Sequence, residues 1–148
     1  MKTKPFICVV ILASFALLYP WCASAQHVAH ITGVSVQAEP TEHAGPCPKT
    51  FRFTGTITVD RAGKVKYRWM HSDNKHRPPA FTTFAGPDAH TVRDTWTIGN
   101  PTTPFEYKGY ARLQILSPIT SLSDKAAFSV KCIPRGSQKK PASVKAGR

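Results

Sequence analysis

Acidic side chains are scarce in this chain, which has 8 Asp and Glu against 20 Lys and Arg and a formal net charge of +12. The few acids stand singly, mostly beside turns or basic neighbours, so no carboxylate pair suggests general acid–base chemistry. Also missing are a G-x-S-x-G elbow, an H-E-x-x-H helix, a Walker loop and a Cys/His nucleophile arrangement. No cofactor fingerprint or metal-ligand spacing occurs, and neither a cofactor, a metal nor a catalytic residue is expected. Asn74 is followed by Lys-His and Asn100 by Pro, which removes any N-glycosylation sequon. Nothing outside the N-terminal run has helical periodicity, and 13 prolines weigh against an α or α/β fold. No internal repeat is visible, and no motif points to specific nucleic-acid recognition.

What is present begins with an export signal. Lys2 and Lys4 precede the apolar run "PFICVVILASFALLYPW", and "CASA" ends in the small-x-small pattern Ala23-Ser24-Ala25. Residues 1–25 therefore read as a signal peptide, with the mature chain starting at Gln26. A permanent anchor needs about 20 apolar residues, and this run is shorter and broken by Pro20. Bulky Tyr19, Pro20 and Trp21 before Cys22 weigh against a lipid anchor there. No later run could span a bilayer, so a secreted or periplasmic protein without a transmembrane segment is expected.

Cleavage also simplifies the cysteines. Cys8 and Cys22 leave with the leader, and the remaining Cys47 and Cys132 allow one intramolecular bridge. Residues 26–133 suit a single domain with its own core. Residues 134–148, "PRGSQKKPASVKAGR", hold five basic side chains, one valine and no aromatic, and read as a disordered basic tail.

Within the domain the apolar period is two. "FRFTGTITV" alternates Phe51, Phe53, Ile57 and Val59 against Arg52, Thr54, Thr56 and Thr58. "KVKYRWM" alternates Val65, Tyr67 and Trp69 against Lys64, Lys66 and Arg68. The same pattern recurs in "HTVRDTWTIG", "ARLQIL" and "KAAFSVKC", and "HITGVSVQA" opens the series. The short "DRAGK" between Val59 and Val65 predicts a hairpin joining the first two of these strands.

About seven short antiparallel strands, one disulfide and a tryptophan on a central strand predict an all-β immunoglobulin-like sandwich. The stretches "GPCPKTFRFTGTIT", "VKYRW" followed by "SD", the Trp-bearing strand and the closing "AAFSVKC" resemble the small secreted immunoglobulin-like modules of bacterial exported proteins. The resemblance spans Val28 to Cys132 and rests on core and turn residues, so it implies a fold and not an activity. Cys47 precedes its strand and Cys132 ends the last one, which suggests a clamp on one end of the domain.

Several residues are candidates for chemistry. "HSDNKHRPP" places His71, Asp73 and His76 close together, but two histidines five apart in a loop lack rigid support, and a surface loop is expected. Asp94 is the one acid inside an alternating strand, and an ion pair with a neighbouring arginine is expected for it. His27 and His30 would suit a copper brace only if histidine became the first residue, whereas cleavage before Gln26 leaves glutamine there.

Charge is the remaining signal. Two of the 20 basic residues belong to the leader, which leaves 18 against 8 acids, a net +10. In immunoglobulin-like domains the Trp69, "ARLQIL" and final strands share a sheet. Their outward residues would be Lys64, Lys66, Arg68, Arg112, Lys125 and Lys131, against a largely threonine face on the other sheet. Such a face attracts anions, and a generally basic surface that only maintains solubility is the plainer reading. The leading functional expectation is a non-catalytic cationic binding module for an anionic glycan, lipopolysaccharide, a membrane face or an acidic protein surface. Two others stand beside it: a copper-dependent enzyme with an N-terminal histidine brace, and an inhibitor that inserts the loop from Asn74 to Pro87 into an extracellular enzyme.

Overall fold

The computed structural model describes residues 28–134, so the expected signal peptide, Gln26, His27 and the expected basic tail from Arg135 lie outside the described residues. Nine strands follow one another: β1 (Ile31–Glu39), β2 (Glu42–Gly45), β3 (Lys49–Val59), β4 (Gly63–His71), β5 (Ala80–Phe84), β6 (Asp88–Ile98), β7 (Phe105–Ser117), β8 (Ser121–Leu122) and β9 (Ala126–Cys132). Every regular element among the described residues is a strand, as the period of two requires. One sheet has the order β1-β3-β6, and the other runs β2-β9-β7-β4-β5 with β8 paired to β7. The two form an immunoglobulin-like sandwich.

Alternation explains how the sheets face each other. Phe51, Phe53, Ile57 and Val59 of β3 are buried, as are Val65 and Trp69 of β4 and Ala111, Leu113 and Ile115 of β7. Phe128 and Val130 of β9 join them. Each large apolar side chain withdrawn from water in this way contributes about 1.5 to 3 kcal/mol. The rings interdigitate: Phe51 and Phe128 lie 4.4 Å apart between centroids, and Phe53 and Trp69 6.3 Å apart. Gly55 makes room for Trp69, because a Cβ there would stand 3.1 Å from Trp69 Cη2, Leu113 Cδ2 and Val92 Cγ2.

The expected hairpin between "FRFTGTITV" and "KVKYRW" does not form. Both edges of β3 are taken, by β1 and by a ladder to β6 that runs from Lys49–Ile98 to Val59–Asp88. Its successor β4 pairs instead with β5 and β7. The connection Asp60 to Ala62 therefore carries the chain from one sheet to the other. Either connection leaves the same inward residues on each strand, which is why alternation alone does not separate them.

The strand set is also larger than seven and not wholly antiparallel. Between Glu39 and Glu42 the chain changes sheets, and β2 then runs parallel to β9. Cys47 follows β2 and bonds Cys132 at the end of β9, with their Cα atoms 5.3 Å apart. The bridge closes one end of the sandwich as a clamp. Gly99 covers it at φ 94°, where a side chain would strike Cys132 Sγ and Cys47.

Candidate functional site

All six candidate cations belong to one sheet or its immediate margin. Lys64, Lys66 and Arg68 are on β4, Arg112 on β7 and Lys131 on β9, while Lys125 stands just before β9. These strands are neighbours in the order β9-β7-β4. The cations occupy the positions between buried Val65, Trp69, Leu113 and Val130, and so point away from the core.

Several of the side chains are held in place across the sheet. Arg68 faces Gln114 in register and donates from Nε to Gln114 Oε1 at 2.7 Å. Arg112 donates from Nε to the Ser123 carbonyl at 3.0 Å. Each uses one of its donors in this way and keeps the rest of its planar fork for an anion. On β5, Phe81 lies opposite Lys66, and the ammonium groups of Lys64 and Lys66 sit 4.2 and 5.5 Å from its ring centre. Lys125 makes the same contact with Tyr110 at 4.4 Å.

The face is not uniform. Lys131 Nζ lies 3.8 Å from Glu106 Oε2, its register partner on β7, so the β9 end carries its own counter-charge. Neither β4 nor β5 contains a carboxylate, and the charge of Lys64, Lys66 and Arg68 stands unopposed along those two strands. Sequence reasoning missed Phe81, Tyr110, Leu122 and Lys108. The alternation around Gly109 and Ala111 continues back to Phe105, and following it would have placed Lys108 and Tyr110 on the outward side. On the opposite sheet Thr54, Thr56, Thr58, Thr95 and Thr97 face outward together with Arg52 and Arg93, and Thr50 Oγ1 meets Thr97 Oγ1 at 2.8 Å.

A second cluster joins the sheets. His71 is not in the polar loop, as expected, but is the last residue of β4 and is buried. It continues the inward series Val65, Tyr67, Trp69, and its ring stacks on Trp96 with centroids 4.5 Å apart and planes within 5°. Its Nε2–H donates to Asp94 Oδ2 at 2.8 Å. Asp94 also has the expected arginine, since Arg77 Nε lies 3.2 Å from Oδ1. Arg77 Nη2 further donates to the Thr95 carbonyl at 2.6 Å and so covers part of the exposed edge of β6.

Burial alone would raise the Asp94 pKa, but the His71 hydrogen bond, the Thr95 backbone N–H and the Arg77 charge outweigh it and hold the carboxyl below its ordinary value. His90 makes a parallel link, stacking on Phe84 at 4.1 Å and meeting Thr82 Oγ1 at 2.7 Å. The surface depression beside His71, about 640 Å³ and lined also by Asp73, Lys75, His76 and Arg77, has its charges paired internally: Lys75 Nζ is 3.8 Å from Asp73 Oδ2. Among the described residues no group of three or more His, Cys, Asp or Glu side chains converges as a metal site.

The remaining candidates are also committed locally. His30 Nδ1 meets Asp60 Oδ2 at 2.7 Å, and this hydrogen bond is the main reason the Asp60 carboxyl sits below its ordinary pKa. The stretch from Asn74 to Pro87 is not a free loop, since its centre is β5, bound to β4 along Ala80–Phe84.

No protein-family model matches the chain, and no curated protein does either. Solved structures offer distant likenesses. The β-glucosidase EmGH1 of Erythrobacter marinus aligns at TM-score 0.49 and 12% identity, over 69% of this chain and 15% of that one. The alkylpurine DNA glycosylase AlkC of Pseudomonas fluorescens, bound to DNA with an abasic-site analogue, aligns at 0.47 and 12%, over 67% and 30%. The CARDB domain of the PF1109 protein of Pyrococcus furiosus, in complex with di-metal ions, aligns at 0.42 and 13%, over 72% and 90%. The chain thus spans only a small part of the first two.

Proposed function

We propose that this protein is an exported, non-catalytic module that docks an anionic surface through the outer face of β5, β4 and β7. The observation that carries this reading is the shared outward face of Lys64, Lys66 and Arg68 on β4, a strand that like its neighbour β5 contains no carboxylate, with Arg112 beside them on β7. Four cations on a rigid sheet raise the local concentration of anions and hasten association with them. The five basic residues between Arg135 and Arg148 add further positive charge to the same attraction. Acidic glycans, lipopolysaccharide, membrane surfaces and acidic proteins all have the required sign.

Export is supported by the N-terminal apolar run ending in Ala23-Ser24-Ala25 and by the Cys47–Cys132 bridge, which persists in oxidising compartments. The mass of the exported chain tests this directly: it should begin at Gln26, whereas a chain beginning at His27 would favour the copper brace. Docking is tested by retention on heparin and on lipopolysaccharide against a neutral matrix. Retention should fall steeply with salt, since exposed charges are screened beyond about 8 to 10 Å at moderate ionic strength. Equal retention on the neutral matrix would contradict the proposal.

A further inference from the structure

We infer that the anionic surface this face takes is a lipid bilayer, with Phe81 and Leu122 entering the headgroup layer while Lys64, Lys66, Arg68 and Arg112 meet lipid phosphates. The inference rests on the docking role proposed for the same face and adds to it the nature of the partner.

Large apolar side chains are exposed where the cations are. Phe81 is 54% exposed on β5, Leu122 46% on β8, and Ile119 64% in the turn between β7 and β8. They account for three of the five large apolar residues exposed among the described residues. Leu122 is the register partner of Gln114, which itself holds Arg68, so apolar and guanidinium groups lie side by side on one face. A soluble polyanion gains nothing from Phe81 or Leu122, whereas an interface between water and hydrocarbon satisfies both kinds of group at once.

The form of the face argues the same way. Lys64 sits over the Phe81 ring at 4.2 Å, which removes that ring face as a stacking platform for a sugar or a base. The long lysine stem instead lets the ring sink while the ammonium remains at phosphate level. Among the described residues, the depressions beside β2 and β9 and beside the β4–β5 connection are not lined by Lys64, Lys66, Arg68 or Arg112, so these cations stand on open sheet surface. Broad contact with many headgroups suits such a face better than capture of one small ligand.

The test uses the full exported chain and vesicles of phosphatidylcholine alone or mixed equally with phosphatidylglycerol, with heparin as the soluble polyanion. Binding is measured at about 0.15 M and about 1 M salt, between which the screening length falls from about 8 Å to about 3 Å. The mixed vesicles should bind the protein and keep part of it at high salt, while heparin releases it. The double variant Phe81→Ser, Leu122→Ser should lose at least about tenfold in vesicle partitioning, because apolar burial is what it removes, with a much smaller loss of heparin retention. Both positions are exposed, and an unchanged thermal unfolding curve confirms that the variant is folded. Vesicle binding equal to wild type in that variant would overturn the inference. Heparin retention without any vesicle binding would overturn it too, leaving the docking face intact with a soluble or glycan ligand. Loss of both in the unmodified protein would sink the docking role as well.

Discussion

His71 Nε2 on β4 lies 2.8 Å from Asp94 Oδ2 on β6, so one hydrogen bond links the two sheets, flanked by Arg77 on one side and the Trp96 ring on the other. This clasp fixes how the last turn of the β4 ladder sits against β6, and its chemistry makes the stability of the domain sensitive to acid.

The Asp94 carboxyl, for which burial is outweighed by hydrogen bonding and the Arg77 charge, titrates below its ordinary value. The folded state therefore binds fewer protons than the unfolded state as pH falls through about 3.9, the unperturbed aspartate value. The contribution is complete above that pH and is lost as pH drops toward the depressed folded value. Urea midpoints measured from neutral pH downward should decline below about pH 4, and Asp94→Asn should flatten that decline. Asp94→Ala should cost about 1 to 3 kcal/mol at neutral pH, because the buried imidazole loses its acceptor. An acid slope in Asp94→Asn equal to wild type would place the sensitivity elsewhere, for example at Asp60.

The disulfide closes a long loop, with Cys47 and Cys132 separated by 85 positions in sequence. Replacing both cysteines by alanine should lower stability by about 4 to 5 kcal/mol on the chain-entropy view. Denaturant titration of the double variant checks this, and a loss under about 1 kcal/mol would mean that the clamp hardly restricts the unfolded chain.

Trp69 and Gly55 form one packing unit. Trp69→Ala should cost about 3 to 5 kcal/mol through the cavity it leaves. Gly55→Ala should also destabilise, by about 1 to 3 kcal/mol, since its methyl group would meet three side chains at 3.1 Å. A neutral Gly55→Ala would show that Trp69 can move aside.

Much of this was legible in the sequence. The period of two in β3, β4, β6, β7 and β9 named nearly every core residue, and the count of two cysteines outside the expected leader named the bridge. β2, β5 and β8 escaped because strands of 4, 5 and 2 residues give too few alternations, and prolines flank them. The β3–β4 connection was misread because a short turn serves equally for a hairpin or for a step between sheets. His71 was assigned to the loop by its polarity, although its parity with Trp69 marked it as inward. Asp94 has the same parity as Val92 and Trp96, and two polar residues on inward parity are a signal for a buried pair. The cationic face was legible residue by residue, while the carboxylate beside Lys131 and the ring beneath Lys64 depend on register, which single strands do not encode.

The docking face is tested most directly by comparing two variants on heparin: Lys66→Gln, Arg68→Gln and Arg112→Gln together, and a chain ending at Pro134. If the folded face is the site, the triple variant should elute at clearly lower salt than the truncated chain, because three fixed cations are lost from one surface. Elution of the triple variant with wild type, and loss of retention only on truncation, would contradict the account and leave the outer face of β4 and β7 as ordinary solvated surface.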